Sequence, residues 1–90
     1  MKEWTIDEFI AECEYLCWHP YLYDESRMPS GICNGHEVGL YPRSWHSIVI
    51  DGGVCNLGHY TEDHPNGFDV YVVDGLKLSP LEYVRYKLNK

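Results

Sequence analysis

Residues 45–60 read WHSIVIDGGVCNLGHY. The run WHSIVI is rich in β-branched and aromatic residues, and VCNLGHY resumes an extended pattern after Asp51-Gly52-Gly53. Glycine next to aspartate is a turn signal, so the stretch predicts two antiparallel strands joined by a tight connection. Downstream, EDHPNG (62–67) marks a second boundary and FDVYVV (68–73) a third strand. Asp74-Gly75 then turns into a short LKL (76–78). Together these predict an antiparallel meander of three to four strands over about residues 45–78. In its third strand Phe68, Val70 and Val72 alternate onto one face, which is the expected core face.

A helix is expected before the sheet, over about residues 5–18. Thr5 and Glu8 stand in capping-box spacing, and Asp7 and Glu8 fall in the first turn, where free backbone amides favour negative charge. Ile6, Phe9, Ile10, Cys13, Leu16 and Cys17 recur with a 3.6-residue period and form the stripe that packs on the sheet. His19-Pro20 ends it, because the residue before proline is pushed out of helical geometry. A second, shorter helix over about residues 80–88 opens with Ser79-Pro80-Leu81-Glu82, another capping box with proline at the first helical position. Arg85, Lys87 and Lys90 lie where its dipole favours cations.

Between the first helix and the sheet, about residues 19–44 read as a long irregular loop carrying Pro20, Pro29, Gly31 and Gly35. Only residues 38–41 resemble a strand, a short edge strand stopped by Pro42. The expectation is therefore one small α+β domain over residues 1–90: the N-terminal helix packed on an antiparallel meander, with a short C-terminal helix and a long loop. A chain of 90 residues buries only ~60–65% of its extended surface, so metal binding or dimerisation through an open sheet edge are routes to extra stability.

The stretch CEYLCWH (13–19) raises the question of metal. Zinc takes four thiolate or imidazole ligands. Cys13 and Cys17, one helical turn apart, together with Cys33 and His36 of CNGH, would make a Cys3His site pinning the loop to the helix. Cys55 and His59 are too far apart in an extended strand to share an ion, at ~3.3 Å per residue. The competing reading is that Cys13 and Cys17 belong to the apolar stripe as buried thiols. With no apolar leader at the start, a reducing, cytoplasmic setting is expected, and this favours free thiols over disulfides. A thiol-dependent enzyme is the least favoured alternative. Cys55 after Gly52-Gly53, with His46 or His59 as base, is the arrangement it would need. The sequence has no phosphate-binding loop, dinucleotide glycine pattern, calcium loop or HExxH motif, so catalysis is not expected.

Charge points to binding. The 14 carboxylates exceed the seven cations, for a net charge of −7. Between Glu3 and Val84 only Arg27, Arg43 and Lys77 oppose them. Such a surface repels phosphate backbones and excludes direct nucleic-acid binding, and no segment reaches the ~20 apolar residues that span a bilayer. It suits a basic protein. Tyr21, Tyr23 and Tyr41 supply candidate anchors, with Asp24, Glu25 and Glu37 as complementary charges. The tyrosines have a rival role in covering the core, and the negative charge a rival role in solubility. In its sharpest form the expectation is an inhibitor whose carboxylates stand where phosphates lie in a nucleic-acid-binding protein. The analogy, one of composition, is with small acidic proteins of phages and mobile elements.

Overall fold

The computed structural model describes residues 2–19, 30–41, 47–58 and 60–90. In chain order the elements are β1 (Glu3–Trp4), α1 (Ile6–Trp18), β2 (Ser30–Cys33), β3 (His36–Tyr41), β4 (Ser47–Ile50), β5 (Gly53–Asn56), β6 (Tyr71–Val73), β7 (Leu76–Leu78) and α2 (Pro80–Leu88). The class is α+β, with both helices where their capping boxes put them. The Thr5 and Ser79 side chains each accept from the backbone N–H three residues on, and Glu8 and Glu82 accept in return from the cap N–H. These reciprocal bonds satisfy donors that a helix start otherwise leaves free.

The sheet differs from the expected meander. It has five strands in the order β1-β2-β3-β4-β5, with β1 parallel to β2 and the remaining pairs antiparallel. Part of the expected loop is therefore strand, and residues 38–41 belong to the middle strand rather than an edge. The reason lies in Asn34-Gly35, with φ of 50° and 83°. Two consecutive positive-φ residues make the two-residue turn whose twist suits a hairpin, and Asn-Gly is its strongest sequence signal. Asp51-Gly52 and Asp74-Gly75 repeat the same conformation.

The expected third strand also goes elsewhere. Tyr71–Val73 does not join β5 but pairs with Leu76–Leu78 in a separate two-stranded sheet. Phe68, Val70 and Val72 are 62%, 61% and 68% exposed, so the face predicted to be core is a surface. The core lies instead between the helices and one face of the five-stranded sheet. Phe9, Cys13, Leu16 and Cys17 of α1 meet Val84 and Leu88 of α2 over Cys33, Val38, Leu40, Ile48, Ile50 and Cys55. Alternation along β2, β3 and β4 puts these side chains on one side.

Long-range bonds fasten the layers together. The Asn34 side chain donates to the Leu88 carbonyl (2.7 Å), tying the β2–β3 turn to the end of α2. Arg85 donates to Asp7 (2.7 Å) across the two helices. The Tyr60 N–H donates to the Cys17 carbonyl at 2.9 Å. The β6–β7 hairpin, too small to be stable alone, is held by Tyr71. Its ring stacks on Tyr83 (4.3 Å between centroids) and its hydroxyl donates to the Asn56 carbonyl (2.9 Å).

Candidate functional site

Cys13, Cys17 and Cys33 are fully buried free cysteines in the core, and Cys55 is nearly so. Burial drives the Cys13 thiol well above its ordinary range, reinforced by the neighbouring Cys17, Glu12 and Cys33. Burial likewise pushes Cys17 up to about 12, helped by the charge of Glu14 and opposed by the Tyr60 hydroxyl beside it. That hydroxyl is itself buried, and burial raises its own pKa. It lies near Cys17 and the Leu81 backbone without a well-formed hydrogen bond among the described residues.

His36 shares the sheet face of its cross-strand partner Cys33 and engages Asp51. Its Nδ1 is 2.6 Å from Asp51 Oδ2. Asp51 also accepts from the Glu37 N–H (3.0 Å), and the two contacts hold its carboxyl below the ordinary range, His36 more than Glu37. Cys33 and His36 close the Asn34-Gly35 turn as a cross-strand pair. Among the described residues no group of three or more His, Cys, Asp or Glu side chains has the arrangement of a metal site. Cys55 is inside the core, whereas His46 and His59 lie outside the described residues.

Of the residues expected to meet a partner, Tyr21, Tyr23, Asp24 and Glu25 lie outside the described residues. Glu37 projects from β3 as an exposed side chain, and Tyr41 ends β3 opposite Ser47, its side chain outside the described part.

Two surfaces that the sequence reading did not single out are formed by the β6–β7 hairpin and its approach. Val72 and Lys77 are cross-strand partners on its outer side. Phe68 stacks on His64 with 4.0 Å between ring centroids, amid Glu62, Asp63 and Asp69, all exposed. On the inner side, Val73, Leu76 and Leu78 face Ile10 of α1 and Leu81 of α2 across an open groove of about 450 Å3. Glu14, Asp74 and Glu82 stand in its walls together with Arg85. Alternation in residues 68–73 was legible; that both hairpin faces carry apolar side chains was the unused signal. A strand buried on one side only would show polar residues on the other.

No family model, no curated protein and no solved structure matches this chain. Among the described residues no helix is long and apolar enough to cross a membrane.

Proposed function

We propose that this protein is an acidic protein-interaction module whose partner is a basic protein. The observation that carries the reading is the exposed segment 68–76. Phe68, Val70, Val72 and Leu76 are all more than 60% exposed, within a chain of net charge −7. Single exposed apolar side chains are ordinary, but four within nine residues, on the hairpin and its approach, point to coverage by another molecule. Exposed Asp69 and Asp74 interrupt that run, so a partner covering it must also neutralise carboxylates. Charge complementarity of this kind selects a basic partner and speeds encounter. In the narrower form, that basic surface is one that otherwise holds nucleic acid.

Affinity capture at low and high salt, compared with capture by Val72→Ser, tests the reading. The captured set is expected to be enriched in basic proteins, lost as salt rises, and depleted by the substitution. Competition by duplex DNA is expected if the partner's nucleic-acid surface is engaged. A captured set without basic proteins, or one indifferent to both salt and Val72→Ser, would sink it.

A further inference from the structure

We infer that the groove between the β6–β7 hairpin and the two helices is a docking site for a basic amphipathic helix of the partner, an inference that rests on the basic-partner reading above. Leu76 is 64% exposed although it lines this groove beside Ile10, Val73 and Leu81. The chain's described residues therefore leave apolar wall there for an incoming side chain. Along α2 the groove runs from Leu81 to Asn89, about 12 Å at 1.5 Å per residue, which matches two turns of a helical ligand. An amphipathic helix laid in such a groove presents apolar anchors at i, i+3 or i+4 and i+7.

The walls decide the charge of the ligand. Glu14 comes from α1, Asp74 from the β6–β7 turn and Glu82 from α2, so carboxylates approach from all three elements. Arg85 is the cation among the lining residues, and its guanidinium is committed to Asp7 at 2.7 Å. Lys90 lies over the Tyr86 ring (4.5 Å) within electrostatic range of Asp74. Glu82 already accepts from the Ser79 N–H, which leaves its second oxygen for a ligand cation. An acidic segment would set its charges against Glu14 and Asp74, whereas lysines or arginines flanking an apolar anchor would be paired.

The test is titration of the isotope-labelled full chain with a synthetic helix of lysines carrying leucines at i and i+4, alongside the same peptide with glutamates for lysines. The lysine peptide is expected to shift the methyl resonances of Ile10, Val73 and Leu81. Leu76→Ser is expected to weaken it about ten-fold through lost apolar burial. Glu14→Gln is expected to weaken it about three-fold, with a shallower salt dependence. Both side chains are exposed, and unchanged Leu40 and Ile48 methyl resonances verify that each variant folds. Shifts confined to Phe68, Val70 and Val72, with both variants silent, would overturn the groove but leave the basic-partner reading standing. Equal binding of the glutamate peptide in the groove would overturn both. No response to either peptide would overturn the groove alone, since salt-dependent capture tests the broader reading separately.

Discussion

Gly31→Ala should be among the most damaging single-methyl additions to this protein. Gly31 sits in β2 with φ of +141°, and a Cβ there would lie 2.1 Å from the Lys2 carbonyl oxygen. Ordinary contact begins near 3.4 Å, so β1 and β2 would have to part by more than 1 Å. That movement breaks the Ile32 N–H to Lys2 carbonyl bond (2.9 Å) and strains the Trp4 indole bond to the Ser30 carbonyl (3.1 Å). It also loosens the edge-on packing of Trp4 against Phe9 (6.1 Å). The broken hydrogen bond contributes about 1 kcal/mol net, and alanine at that φ costs a further 1–3, for a total of about 3 kcal/mol. A domain with only about 5–15 kcal/mol in total feels that strongly. The expected fall in Tm is about 12–24 °C, with a matching drop in the urea midpoint at unchanged m-value. Gly75→Ala is the control: φ is +80° and nothing lies within 4 Å of its Cβ, so only the conformational cost of about 1 kcal/mol applies. Equal melting of the two variants would refute the argument, because the close approach of β1 to β2 would then be dispensable.

Two further outcomes are expected. The thiols, raised by burial, with Cys13 and Cys17 raised furthest, should resist alkylation near pH 8 in the folded chain and react fully in urea. One fast-reacting cysteine in the native state would contradict the core assignment. Asp51 has a folded-state pKa held below its unfolded value, mainly by His36. Its contribution is therefore fully present above the unfolded pKa of about 3.9 and is lost as pH falls through the lower folded value. Asp51→Asn should flatten the acid limb of stability against pH in that window, while the capping carboxylates Glu8 and Glu82, also lowered, keep their share. An acid limb unchanged by the substitution would show that the His36 contact does not survive in solution.

The candidate binding surface was legible only in outline. The acidic character is evident from composition, and the expected contact residues centred on 21–25 lie outside the described residues. The surface proposed above draws on residues 68–76 and on Ile10, Glu14 and Leu81, which are remote in sequence. No local pattern announces a groove, because its walls come from elements whose relative placement depends on what each one packs against.

The two helices and their ends are local properties of the chain, since Thr5-x-x-Glu8 and Ser79-x-x-Glu82 close hydrogen bonds within a single turn. So are the three tight turns at Asn34-Gly35, Asp51-Gly52 and Asp74-Gly75, where two successive residues take positive φ. Asn34-Gly35 is such a turn signal, and it makes strand of β2 and of the first residues of β3, which lie in the stretch expected as loop, ahead of the short strand expected over residues 38–41. Long-range packing, by contrast, is what makes two residues, Glu3 and Trp4, a parallel edge of the sheet. The same holds for Tyr71–Val73, which pairs with Leu76–Leu78 and not with β5. Alternation fixes which side chains share a face, and turns fix which strands are neighbours in a hairpin. Neither fixes what the face meets. The α1 stripe found its partner in Val38, Leu40, Ile48 and Ile50, and once that core was filled, Phe68, Val70 and Val72 were left to the surface.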